Sequence, residues 1–211
     1  MAKWLVIDFE TMGTDSVKCA AVDLSAIVVD TDKFVSSQPY TLRDVANVKR
    51  WKLSVADQVQ NYGFEIEPET VAWWQSQDAE VRAKVKPLKT DLTVPQFVES
   101  FHSFLIESPK IDYWWSRANT FDPIILTQLF KAVGKGAHIA EYLKHWRVRD
   151  LRTYIDAKFD FSTQNGFIPV KDEEFFNKVF KQHDSSWDVI ADVLRLQTIA
   201  RAENDLEMIS K

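Results

Sequence analysis

Near the start of the chain, an apolar run from Trp4 to Ile7 meets two acids, Asp8 and Glu10, within Lys-Trp-Leu-Val-Ile-Asp-Phe-Glu-Thr-Met-Gly. The run is rich in β-formers and lacks polar alternation, the pattern of a strand buried on both faces. Side chains two apart on a strand share a face, so both carboxylates project to one side of the sheet where the strand ends. Gly13 then supplies a turn. Carboxylates in such a place are costly unless something positive sits on them. A hard divalent cation such as Mg²⁺, which takes oxygen ligands, is one answer. A strand end that frays into a solvated acidic loop is the other.

At 211 residues the chain suits one domain spanning 1–211 and is long enough to bury a full core. With 45% apolar and 27% charged residues, its composition is that of a globular protein in water. No apolar run approaches the length of a membrane span, and Asp8 interrupts the one stretch resembling a signal-peptide core. The expectation is a cytoplasmic protein with no membrane partner. Cys19 is the single cysteine, which excludes an internal disulfide and a cysteine-based zinc site. It lies in an apolar strand pattern, where core packing is its expected role. A net charge of −5 argues against a protein that coats nucleic acid by neutralising phosphates. It leaves room for an enzyme that grips a few nucleotides through metal ions and a local basic patch. Eight tryptophans are compatible with a homodimer, since aromatics are enriched at interfaces, but do not establish one.

Along the chain, Cys19 to Asp30 reads as a second strand and Phe34 to Leu42 as a third, giving an antiparallel meander. Residues 43–67 have no clear period and hold Arg43, Lys49, Arg50 and Lys52 around Trp51. Pro68 with Glu69 opens a helix through Trp73 and Trp74, and a further helical patch covers Ala79 to Lys84. Val94 to Ile106 is an amphipathic helix by its apolar spacing. Ile111 to Ser116 is a fourth strand, followed by a helix over Asp122 to Val133. Arg147 to Leu151 is a short fifth strand leading into a helix to Lys158. Residues 159–182 read as a loop with one helical piece, and Ser185 to Arg201 as a final helix. The order predicts an α/β protein whose mixed sheet joins a three-strand antiparallel meander to parallel strands, flanked by helices. It matches a ribonuclease-H-like core.

Two further acids and a histidine stand where they can join Asp8 and Glu10. Asp122 follows the fourth strand; it suits an N-cap with Pro123 at the first helical position, and it also lies at the open end of a strand, where α/β sites assemble. His183 and Asp188 bracket the start of the final helix, capped by Asp184 or Ser185. A lone histidine is ordinarily a surface or structural residue; here it is the order of the three motifs that carries weight.

That set resembles the DEDDh branch of the DEDD 3′-to-5′ exonuclease superfamily. Asp8 and Glu10 match its first motif, Asp122 its second, and His183 with Asp188 its third, the five-residue step marking the histidine branch. Ile-Asp-Phe-Glu-Thr-Met-Gly, Thr70 to Trp74, Arg117 with Phe121-Asp122, and Trp146 to Thr153 are similar to the bacteriophage exonuclease A group. That group shares a family with a bacterial adenosine-preferring exoribonuclease. The resemblance runs over residues 4–200, although 158–182 match no motif. It implies two Mg²⁺ or Mn²⁺ ions held by Asp8, Glu10, Asp122 and Asp188, with His183 as general base. It implies release of 5′-mononucleotides from a 3′ end, on single-stranded DNA by likeness to the phage group or on RNA by likeness to the bacterial one. A phage-encoded chain would work in the host cytoplasm. Met12, Trp73, Trp74, Arg117 and Arg149 are candidates for substrate contact; plain packing is the alternative for Met12 and the tryptophans, and pairing with Asp150 or another acid for the arginines. A catalytically silent binding module on the same fold would be expected to lack one of the acids, and all are present.

Overall fold

Lys3–Thr11 forms β1, the strand on which the sheet is built, and Ala21–Asp30 returns beside it as β2. Lys49–Lys52 is β3, Tyr113–Ser116 β4 and Val148–Asp150 β5. The computed structural model describes residues 2–159, 163, 165–168, 170 and 178–209, with backbone alone for 205–209. Strand order is β3-β2-β1-β4-β5. β2 runs antiparallel to both β1 and β3, while β4 and β5 run parallel to β1. The helices are α1 (Thr31–Val35), α2 (Val55–Tyr62), α3 (Pro68–Ser76), α4 (Ala79–Val85), α5 (Val94–Glu107), α6 (Asp122–Ala132), α7 (Gly136–Tyr142), α8 (Leu151–Lys158) and α9 (Ser185–Ile209). None of the described helices is long and apolar enough to cross a membrane.

The pleat of β1 sorts the core into two layers. Leu5, Ile7 and Phe9 face one way, onto Phe97 and Phe101 of α5 and Leu126 and Phe130 of α6. Val6 faces the other way, with Trp115, Leu151, Ile155 and the Val189, Ile190 and Val193 side chains of α9. Each such fully buried aliphatic or aromatic side chain contributes about 1.5–3 kcal/mol of transfer free energy. Trp114 and Trp115 divide between the two layers, as alternation along β4 predicts. Asp8 and Glu10 continue the row begun by Val6, so they project onto the α9 side just where the apolar packing ends.

The meander exists, but its third strand is displaced from the expected Phe34–Leu42. Asp30 caps α1 instead, its carboxylate accepting from the Asp32 N–H at 3.1 Å. Phe34 is buried, and the Tyr40 backbone pairs with the Gln197 side chain of α9. The third strand is Lys-Arg-Trp-Lys at 49–52, in the stretch without a clear period. It pairs with Asp23 to Ala26 of β2 and buries only Trp51, leaving two of its cations exposed at the sheet edge. A short, charged edge strand is formed by its pairing and not by its own propensity. The helices α1, α2 and α7 were not expected. Within α2, Gln58 is fully buried and bonds both the N–H and the C=O of Ala21. Half of 159–182, expected as a loop with a helical piece, lies outside the described residues.

Candidate active site

The two acids of β1 meet a third across the layer. α9 begins at Ser185, and Asp188 lies one turn in, with one oxygen from each of Asp8, Glu10 and Asp188 within 4.8 Å of the others. Asp122 begins α6 from the neighbouring strand end; its Oδ1 accepts from the Phe9 N–H at 2.9 Å, so it is tied to β1 between the two acids. His183 sits just before α9 at φ 64°, the left-handed region that ordinary residues seldom adopt. Its N–H donates to Asp188 Oδ2 at 2.9 Å, and its ring meets Trp73 edge-on, centroids 4.7 Å apart. Asp184 is the cap, accepting from the Ser186 N–H at 3.2 Å, while the Ser185 hydroxyl donates to buried Asp23.

Burial and mutual repulsion both act on these carboxyls. The Asp8 carboxyl is held well above the usual carboxylate range, first by desolvation and then by Asp188, Glu10 and Asp122. Desolvation leads again for Glu10, with Asp23 and Asp188 adding to it. Desolvation pushes Asp122 and Asp188 up to about 7. Among the described residues, Asp8, Glu10 and Asp188 form no salt bridge. A half-buried set of hard oxygen donors with no cation of its own fits a divalent metal ion. The consequence for stability has a definite sign. Groups whose folded pKa is raised bind more protons folded than unfolded, so metal-free stability falls as pH rises from about 4, the unfolded carboxyl value, to about 7. Asp30, Asp44 and Glu67, whose carboxyls are depressed, act below that window. Thermal melts in EDTA are expected to show the midpoint dropping across the window. The increment produced by Mg²⁺ or Mn²⁺ should grow over the same range. A flat profile in both conditions would sink this account.

The remaining candidates divide. Trp74 is buried and donates from Nε1 to the Thr11 C=O at 2.9 Å, whereas Trp73 is 40% exposed at the rim. An open cleft of ≈ 700 Å³ lies between Trp73, Phe121 and the Glu10–Thr14 turn. Gly13 is required in that turn, because a Cβ there would stand 2.8 Å from the Cys19 Cβ. Met12 packs partly buried against the α5 side of the core. Arg117 is buried, with Nε on Asp192 Oδ1 at 3.0 Å and Nη1 on the Asn165 C=O at 2.9 Å. Its donors face inward, toward an acid other than Asp150. Arg149 stacks over the Tyr113 ring at 4.3 Å and bonds the Trp146 and Val148 carbonyls. Tyr113 pairs with Trp4 at the far end of β1, so the structure does not bring Arg149 to the carboxylates. Asp150 caps α8.

Several residues of the site's surround were not anticipated. Asp192 lies on α9 one turn beyond Asp188, buried between Arg117 and Arg195. Asp23 is fully buried opposite Glu10 on β2 and pairs with Arg50. The signal for Asp23 was present, since it breaks the apolar run of β2 as Asp8 breaks that of β1. For Asp192 there was none.

Solved structures share this fold. E. coli Exonuclease I in complex with a dT13 oligonucleotide is 18% identical, with a TM-score of 0.62 over 99% of this chain and 43% of the other. Its complex with a dA16 oligonucleotide gives 19%, 0.60, 94% and 41%. The zinc-bound form of the E. coli ExoI–ssDNA complex gives 19%, 0.56, 95% and 40%. The chain thus spans about two fifths of the length of the solved chains it matches. No curated protein sequence matches it. The likeness to these exonuclease structures is one of fold, and a family model carries it further. The chain belongs to the family of the 3′-5′ exoribonuclease Rv2179c-like domain, which it matches over residues 3–199.

Proposed function

We propose that the chain hydrolyses single-stranded nucleic acid from its 3′ end, one 5′-mononucleotide at a time, with DNA as the first substrate. The observation that carries this reading is the convergence of Asp8, Glu10 and Asp188 beside His183 at the mouth of an aromatic-walled cleft. Mg²⁺ or Mn²⁺, two ions held by Asp8, Glu10, Asp188 and Asp122, would stabilise the charge developing on the attacking and leaving oxygens of an in-line displacement.

The chain's own residues do the rest. His183 takes a proton from the attacking water as the new O–P bond forms and the bond to the 3′-oxygen of the preceding nucleotide breaks. Desolvation lowers the His183 pKa, so the imidazole is neutral and able to accept at neutral pH. Asp188, through the His183 N–H, keeps the base beside the acidic cluster. Trp73 offers an exposed ring face at the rim, and base–aromatic stacking is worth about 1–3 kcal/mol irrespective of sequence. Glu67, on the cleft wall, is already spent on the Thr14 and Asp15 N–H groups and the Thr14 hydroxyl. A grip through base faces is one that DNA and RNA share.

RNA is the second reading, favoured by the family's description as an exoribonuclease domain. Discrimination would require a contact to the 2′-OH. The test uses matched DNA and RNA single strands, labelled at either end, with Mg²⁺, Mn²⁺ or EDTA. Metal-dependent loss of the 3′ label as mononucleotide, with a ladder from the 5′ label, is expected, faster on DNA. Faster loss from RNA would exchange the two readings. No release from a folded sample with any metal would overturn both.

A further inference from the structure

The turn that presents His183 is held by charges from two other parts of the fold. A left-handed backbone at a non-glycine residue costs about 1–2 kcal/mol and persists where neighbours over-determine it. Here the neighbour is Asp184, 2% exposed, whose carboxylate does more than cap α9. Its Oδ2 pairs with Lys84 Nζ of α4, and its Oδ1 lies 3.5 Å from Arg50 Nη1 of β3. A serine or asparagine would cap the helix as well, so capping alone does not call for a buried charge with two cations. α4 itself buries only Val81 and is otherwise fastened by charges, since Glu80 pairs with Lys181 just before the turn.

We propose that Lys84 is a positioning residue: through Asp184 it locks the left-handed turn that sets His183 between Trp73 and Asp188. This rests on His183 acting as the base. The imidazole seat is then assembled from separate elements, with α3 supplying the ring wall, α4 the lysine and α9 the acid. Lys84 is 36% exposed, so its loss is expected to leave the core intact.

The experiment compares K84M, K84R and H183N with the wild-type chain, on whichever oligonucleotide the wild type degrades faster, reading kcat and KM separately. K84M is expected to lose about 10-fold or more in kcat, since small misplacements of a reacting group are costly, with KM unchanged. K84R, which can still reach Asp184, is expected to stay within about twofold of wild type. An unchanged kcat in K84M would overturn the proposal. So would a rise in KM alone, which would assign Lys84 to a substrate phosphate instead. A fully active H183N would remove the premise itself, an outcome distinct from either. If K84M melts below wild type, the kcat of D184N, which keeps the cap but not the charge, decides in its place: a loss supports the lock and none refutes it.

Discussion

Asp8→Asn is expected to lower hydrolysis by at least about 10³-fold, some 4 kcal/mol of barrier at 1.36 kcal/mol per decade, while the far-ultraviolet circular dichroism is unchanged. Asp8 is the member of the cluster most surrounded by like charge: Asp188, Glu10, Asp122 and Asp192 all push its carboxyl upward, after desolvation. Amide for carboxyl keeps the shape and removes an acid from a buried cluster that, among the described residues, forms no salt bridge. The metal-free variant should therefore melt at or above the wild-type temperature at neutral pH, and its midpoint should depend less on pH. The increment given by Mg²⁺ or Mn²⁺ should shrink at the same time, because one of three converging carboxylates becomes a neutral, weaker ligand. The combination is diagnostic. A residue lost from the core lowers stability and activity together, whereas a metal ligand lost from a repulsive cluster lowers activity and raises metal-free stability. Hydrolysis within about tenfold of wild type would remove Asp8 from the chemistry, as a metal-ligand role requires more than one decade.

What was legible in the sequence follows from how local the cause is. Asp8 and Glu10 stand on one strand, and a two-residue period alone places them on one face; the structure keeps them there, beside Asp188. The helix begun by Ser185 was equally local, needing a cap and an apolar period, although it continues to Ile209. Long-range causes were not legible. β3 forms from a basic, aperiodic tetrapeptide because β2 offers an edge, while Phe34–Leu42, apolar enough for a strand, leaves the sheet after the Asp30 cap starts a helix. Asp122 has the local look of a cap, yet its carboxylate serves β1 across 113 positions of sequence. Arg117 looks like a phosphate ligand until Asp192, 75 positions away, takes its guanidinium. Each of these depends on a partner that no window along the chain contains.

His183→Asn carries the second large effect. Asparagine is among the few side chains that tolerate φ near 64°, so the turn, the Asp184 cap and the bond from the residue 183 N–H to Asp188 should all survive. What disappears is a neutral nitrogen able to take a proton from water, a contribution of about 10²–10⁴-fold when a general base is lost. The increment in melting temperature from Mg²⁺ or Mn²⁺ should be retained, since the three converging ligands are carboxylates. The pH dependence separates the two roles further. At saturating metal the carboxyls are held ionised, leaving the imidazole to set the acid limb of kcat. Desolvation places that limb below the ordinary histidine value of about 6.5. In His183→Asn the limb should vanish and the residual rate should follow hydroxide instead. A variant that keeps both the wild-type kcat and its acid limb would transfer the proton to another acceptor, and the carboxylates alone would then have to account for the chemistry.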